Sequence, residues 1–299
     1  MERELWAELS AAISVVEHHF CDNPDVVHST GRIVRVYLWA VLHNAAVSWA
    51  CDRQNWDRRT RPPHLPDQST MSRRLRTPEF HEFMQRLEDR LRPVPGASNL
   101  FKRLDAKPLP IAAHSTDRDA GWGRGAGQKA KGYKLHAIWA GEAMPRAWRL
   151  APLHVSEQEM ARRMIRDLDE PGYLIGDKNY DANHLFDLAG SRDNQLVCPR
   201  RYGRHRGLGH HRHSPYRLRC IDLLESPTRR LTRFGPTLMR HRTQIERVFA
   251  HCTAFTGGLL CLRPWVRRYR RVRPWVWAKL LINAARIRIL NRRKLAVGA

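Results

Sequence analysis

The stretch Tyr173-Leu-Ile-Gly-Asp-Lys-Asn-Tyr-Asp181 decides the fold. Its first half is a short apolar run and its second half is polar, the pattern of a buried strand closed by a turn. The strand's carboxyl end is then Asp177, and open α/β sheets gather their ligands at strand carboxyl ends. Helical spacing flanks this strand on both sides, at Glu157–Leu168 and at Ala182–Ala189, and Gln195–Cys198 reads as a further short strand. Upstream, Leu109–Ala113, Tyr133–Ala140 and Ala147–Leu153 read as three more strands. Three strands, a helix, a strand, a helix and a strand make a mixed α/β order.

The flanks of this core are helical. Residues 1–97 carry apolar residues at helical spacing, as at Leu5, Leu9, Ile13 and Val16, followed by a second run at Val34–Ala50. Asp67-Gln-Ser-Thr-Met-Ser-Arg-Arg opens a basic helix and Thr77–Leu91 follows it. The pair predicts a helix-turn-helix presenting Gln68, Ser69, Ser72, Arg73 and Arg74 to DNA, or else a small all-α packing module. Pro236–Phe255 and Arg273–Leu290 read as two C-terminal helices. Arg200–Pro227, basic and rich in His, reads as an exposed loop. The expected division is therefore a helical DNA-binding region, 1–97, and an α/β domain, 98–299, with a basic insertion at about 200–235 and a helical C-terminus.

Charge narrows the function. Lys and Arg number 53 against 29 Asp and Glu, a net charge of +24 in 299 residues. Such an excess adds self-repulsion to the folded state unless a polyanion offsets it, and nucleic acid is the first candidate. No acid lies between Arg247 and Ala299, where 13 Arg and Lys stand, and none between Pro199 and Cys220, where seven Arg stand. The longest apolar run near the C-terminus is interrupted by Lys279, Arg286 and Arg288, so no membrane span is expected. Six cysteines without a CxxC pair, and no signal-peptide core at the start, point to reduced thiols in a cytoplasmic, nucleoid-associated protein.

Acids in so basic a chain attract attention. Asp105 lies in Arg-Leu-Asp-Ala-Lys-Pro-Leu just before a predicted strand, Asp177 ends another, and Glu246 sits in the helix Arg242-Thr-Gln-Ile-Glu-Arg-Val-Phe249. Asp117 is a rival to Asp105 for the first position. Clustered carboxylates repel one another unless a cation joins them. Divalent magnesium prefers carboxylate oxygens and water, and it stabilises the entering and leaving oxygens of a phosphodiester exchange.

Gly132-Tyr-Lys-Leu-His136, Ile175-Gly-Asp-Lys-Asn-Tyr-Asp181 and Arg242-Thr-Gln-Ile-Glu-Arg-Val-Phe249 resemble the signature blocks of insertion-sequence DDE transposases. The resemblance covers about 100–290 and extends weakly into the helical N-terminus. The intervals agree: 72 residues from Asp105 to Asp177 and 69 from Asp177 to Glu246. The resemblance implies an RNase H-like mixed sheet flanked by helices, with Asp105, Asp177 and Glu246 holding Mg²⁺ or Mn²⁺. It implies cleavage of double-stranded DNA at element ends followed by strand transfer, by a homodimer on DNA. It favours Asp105 over Asp117, because Asp-Ala-Lys-Pro-Leu-Pro-Ile is similar to the family's first strand. Met239 and Thr253 stand where many relatives have a tyrosine and a lysine. The phosphate contacts then fall to Lys134, His136, Lys178, Arg242 and Arg247, and to Arg267, Arg268, Arg270 and Arg271. A nuclease of the same fold without strand transfer, and an inactive DNA-binding derivative, are the alternatives.

Other patterns are weaker. Cys198 and Cys220 bracket His205, His210, His211 and His213, with a spacing that fits no familiar zinc finger. Gly121–Gly127 lacks the Lys-Ser/Thr of a phosphate-binding loop and reads as a mobile DNA-facing loop. Trp265, Trp275 and Trp277 lie among arginines and are candidates either to stack on exposed bases or to pack the C-terminal helix.

Overall fold

The structure, a computed structural model, describes residues 1–92, 100–125, 127–141, 143–202, 207–208, 212–226, 234–253, 255, 257–259 and 261–297. His205, His210 and His211 of the weak zinc reading lie outside these residues, as does part of the basic insertion. The chain forms two compact units. One comprises 1–93 with 251–299 and the other 94–250. Compactness thus divides the chain differently from a boundary at 97, because the C-terminal helix packs with the N-terminal helices.

In the helical unit, α1 (Glu2–His18), α2 (Thr30–Leu42), the short α3 (Val47–Ala50), α4 (Gln68–Arg74) and α5 (Pro78–Leu91) precede the sheet in sequence. Three helices have side-chain caps of the expected kind: Ser29 on α2, Asp67 on α4 and Thr77 on α5. Trp6, Trp39 and Trp56 pack ring on ring. The C-terminal helix (Tyr269–Val297, α10 below) contacts α1, α2 and α5. Arg292 and Arg293 of this helix reach Glu8 and Glu4 of α1. Its Lys279 is buried and donates to Val41 O, Asn44 Oδ1 and Gly257 O at 2.7, 2.7 and 2.8 Å. Trp275 and Trp277 are buried, so they pack this helix, whereas Trp265 is exposed. Among the described residues no helix is long and apolar enough to cross a membrane.

The second unit is built on one mixed sheet. Its strands are β1 (Phe101–Ile111), β2 (Gly121–Gly125), β3 (Gln128–Trp139), β4 (Ala147–Pro152), β5 (Gly172–Ile175) and β6 (Asn194–Val197). The order is β2-β3-β1-β5-β6, with β4 also on β3. Strands β1 and β3 are antiparallel, as are β3 and both β2 and β4, whereas β5 and β6 run parallel to β1. This is an RNase H-like sheet. Helices α6 (Glu157–Ile165) and α7 (Asn183–Gly190) connect β4 to β5 and β5 to β6, and α8 (Pro215–Glu225) and α9 (Phe234–Thr253) follow.

Strand alternation assigns the faces. Leu104 pairs with Ile138, and both belong to the core that includes Met164 and Ile165 of α6 and Leu185 and Phe186 of α7. On the other face Arg103 reaches His241 O and Gln244, and Trp139 meets Phe249 edge to face, all on α9.

Three sequence expectations change. β1 begins at Phe101, so Asp105 lies inside the strand and not before it. Gly121–Gly125 is strand β2, not a mobile loop; a Cβ at Gly123 would come within 2.4 Å of Leu153 O, so the glycine is a steric requirement of a tight approach. The Arg200–Pro227 stretch contains α8, which buries Cys220 and Leu223. Its basic residues masked an amphipathic pattern.

Candidate active site

Asp105 and Asp177 are brought together by the parallel pairing of β1 and β5. The register joins Phe101 to Tyr173, Lys102 to Leu174 and Arg103 to Ile175. Carried on by two residues, it sets Asp177 abreast of Asp105. β5 ends at Ile175 while β1 continues to Ile111, so the β5 side of β1 is open where Asp105 stands. Asp177 therefore sits just past the carboxyl end of β5, and Asp105 lies on the neighbouring parallel strand where that pairing has stopped.

The electrostatics of the pair match this geometry. Burial raises Asp105 to about 6, and the charges of Asp177 and Glu157 push the same way against a backbone hydrogen bond from Ala106 and the charge of Arg242. Asp177 is also raised, by burial first and then by Glu157, while Asn179 N, Arg242 and Lys178 oppose the shift. Asp177 also caps the turn that follows it, accepting from Asn179 N at 2.9 Å and from Asn179 Nδ2 at 3.2 Å.

The rival Asp117 is occupied elsewhere. It is buried, accepts from the Tyr133 hydroxyl at 2.9 Å, and accepts from Asp119 N at 3.0 Å. Glu246 is exposed on α9, one helical turn from Arg242, between the buried Ile245 and Val248. Arg242, not Glu246, is the α9 residue whose charge is felt by both aspartates.

A residue the sequence reading passed over enters here. Glu157 opens α6, where a carboxylate suits the helix N-terminus. Its charge raises Asp105, Asp177 and Tyr180, and its Oε1 accepts from Lys134 Nζ at 2.7 Å. Gln158 Nε2 donates to Asn179 O at 2.7 Å and ties the same helix end to the turn after Asp177. The only signal available beforehand was an acid just after Ser156 at the start of a predicted helix, which is commonplace. Tyr180 is buried with its hydroxyl unpartnered among the described residues, and the same three carboxylates act on it.

Two residues nominated for DNA contact are buried. His136 is fully buried and neither ring nitrogen has a partner among the described residues; burial lowers it to about 4, so it is a neutral core histidine. Lys134 is also buried and held by Glu157. Ala137, beside His136, is paired with Asp105. Alternation therefore turns Lys134 and His136 to the face opposite Asp105. Strand β3 carries β1, β2 and β4 along its edges. Gly132, which opens this block, has φ +157, and a Cβ there would approach Leu109 O to 2.4 Å.

Other nominated cations divide into engaged and open. Arg74 is half-buried, donating to Thr30 Oγ1 at 2.8 Å with Asp22 at 3.7 Å. Arg267 donates to Arg263 O at 2.6 Å and to Val266 O at 2.9 Å, and Arg268 adopts φ 70. Arg73, Lys178, Arg247, Arg270 and Arg271 are exposed.

Among the described residues no group of three or more His, Cys, Asp or Glu is arranged to hold a metal ion. Two neighbouring carboxylates, both raised by burial and by the charge of Glu157, nonetheless suit Mg²⁺, which commonly takes one or two carboxylates and completes its shell with water and substrate phosphate. The oxygen-only donor set and the orphaned Tyr180 hydroxyl nearby agree with such a cation.

The comparisons with known proteins follow this geometry. No curated protein matches in sequence. A solved structure, the cryo-electron-microscopy piggyBac transposase synaptic complex with hairpin DNA, aligns at 8% identity with a TM-score of 0.45, over 95% of this chain and 71% of that one. The family model described as "Transposase DDE domain" matches residues 104–280, more than half of the chain and the whole span from Asp105 to Glu246. The chain belongs to the transposase DDE domain family.

Proposed function

We propose that this transposase cleaves double-stranded DNA at the ends of an insertion sequence and joins the freed ends to a target, with Mg²⁺ or Mn²⁺ as cofactor. The reading rests on one observation above the others: Asp105 and Asp177 each lie two residues past the Arg103–Ile175 pairing of adjacent parallel strands, in a chain with a +24 charge. Asp105 and Asp177 would hold the cation, with Glu246 or Glu157 supplying a third carboxylate. A divalent cation bound there supplies charge stabilisation for the oxygens of an in-line phosphoryl exchange. Arg242, whose charge lowers both aspartates, would offset their repulsion and meet a phosphate entering beside them. Exposed Lys178, Arg247, Arg270 and Arg271 supply phosphate contacts that position the duplex. A homodimer would bring two DNA ends together.

The test uses two DNA substrates, one with intact element ends and one with ends already cut. A transposase joins the cut ends to target DNA in Mg²⁺; a nuclease of the same fold cuts the intact ends and joins neither. Absence of both products with Mg²⁺ and with Mn²⁺ would reduce the chain to a DNA-binding derivative.

A further inference from the structure

The helical unit carries a pocket of about 180 Å³. Three segments far apart in sequence build it: the α2–α3 region, α4 with the residues after it, and 265–275. Tyr37, Val47, Trp265 and Trp275 supply apolar wall. Trp265 is 42% exposed, so part of its ring is available to a ligand. Gln68 offers a side-chain amide with no partner among the described residues, and Ser72 offers a hydroxyl that accepts from Arg76 Nη2 at 2.9 Å.

The rim is positive. Arg76, Arg270 and Arg271 are exposed and line the pocket, and among the described residues no Asp or Glu lines it. The carboxylate nearest in sequence, Asp67, is spent on capping α4, accepting from Thr70 N and from Ser69 Oγ, each at 2.7 Å.

We propose that this pocket binds a single unpaired nucleobase of the DNA, with the base against Trp265 and its flanking phosphates on Arg76, Arg270 and Arg271. The inference rests on the reading that the chain binds DNA, and it assigns that binding a subsite. Each part of the pocket answers one part of a nucleotide. An aromatic wall stacks on any base, an amide that both donates and accepts matches a base edge, and arginines without a competing acid match phosphate. A lone phosphate would leave the aromatic wall without purpose, and a purely apolar ligand would leave the arginines without one. The volume is below that of drug-sized ligand sites and admits one ring system, so a paired base must leave the stack to enter.

The experiment measures affinity of the full chain, at fixed salt, for three duplexes: fully paired, bearing one bulged nucleotide, and bearing one bulged abasic residue. The wild type should prefer the bulged base over the other two by about tenfold, the scale of one base–aromatic stack. Trp265→Ala should abolish the preference while leaving affinity for the paired duplex unchanged, and Trp265→Phe should restore part of it. Because Trp265 is exposed, the melting temperature of the variant should match the parent. Equal binding of the abasic and the base-bearing bulge means that the protein reads backbone distortion, and the proposal falls. It also falls if the preference survives Trp265→Ala, or if Trp265→Ala alters no DNA arm because the pocket serves a protein partner. Failure of the wild type to bind any of the three duplexes sinks the DNA reading itself.

Discussion

The Lys134 ammonium lies 2.7 Å from Glu157 Oε1, and that same carboxylate presses on Asp105 and Asp177. One residue at the start of α6 thus joins a buried cation on β3 to the acidic pair formed by Asp105 within β1 and Asp177 just past β5. Removing the acceptor alone strands a buried charge, so Glu157→Ala should cost about 1–3 kcal/mol. The double variant Glu157→Ala/Lys134→Met should recover most of that loss, since neither charge then remains. Urea midpoints of the two single variants and the double check this; additive losses would mean the pair is not coupled.

Asp177→Asn keeps size and hydrogen bonding while removing the charge that a cation needs. Cleavage should fall by roughly two orders of magnitude or more, with DNA binding retained or slightly tightened. The exposed α7 residue Asp187 serves as control, and Asp187→Asn should cleave normally. Glu246→Gln and Glu157→Gln, measured beside them against Mg²⁺ concentration, identify the third carboxylate: the variant that needs more metal for half-maximal cleavage has lost a ligand. Normal cleavage by Asp177→Asn would make this aspartate merely the cap of the turn after β5.

The acidity of Asp105 carries a pH prediction. Burial first, then Asp177 and Glu157, raises the carboxyl from 3.8 to about 6. A folded state that holds this proton more tightly than the unfolded chain loses stability as pH rises between those two values. Asp105→Asn should therefore melt above the metal-free parent at pH 7, by about 2–4 °C for each kcal/mol relieved. The difference should close as pH approaches 3.8, where the parent carboxyl is protonated when folded. A difference that does not change with pH would assign the effect to packing.

The salt dependence of DNA binding should come from a subset of the basic residues. Arg267 is tied to backbone carbonyls, whereas Arg270 and Arg271 are exposed. Arg270→Ala/Arg271→Ala should flatten the slope of log K against log salt by roughly 2, at about 0.9 per phosphate contact, and Arg267→Ala should leave it unchanged. A slope unaffected by the double substitution would remove this face from the DNA interface.

Lys279 holds three oxygen acceptors inside the helical unit, at Val41, Asn44 and Gly257. Lys279→Met matches its length but removes the ammonium donor from Asn44 Oδ1 and Gly257 O, while Val41 O keeps Asn44 N. A loss of about 2 kcal/mol or more is expected by thermal or urea unfolding, without a change in the affinity of folded protein for DNA. An unaffected midpoint would show that water replaces the ammonium.

The sequence alone determined what depends on nearest neighbours. The apolar run before Asp177 made β5 a strand and put the acid at its end. Helical periodicity located α6, α7 and α9 to within three residues and the core of a longer C-terminal helix, and the one-sided charge pointed to a polyanion as partner. Tertiary structure decided the rest, because burial and proximity are long-range. Asp105 and Asp117 are equivalent as letters, and only strand pairing sets one beside Asp177 and gives the other to Tyr133. His136 and Lys134 look like surface residues on an alternating strand until pairing of β3 on both edges encloses them. Glu157 lies 52 residues from Asp105 and 20 from Asp177, and no local rule links them. Gln68 and Trp265 line one pocket only because the C-terminal helix packs on α2 and α5, a contact between segments some two hundred residues apart that burial of apolar faces dictates and no local sequence window contains.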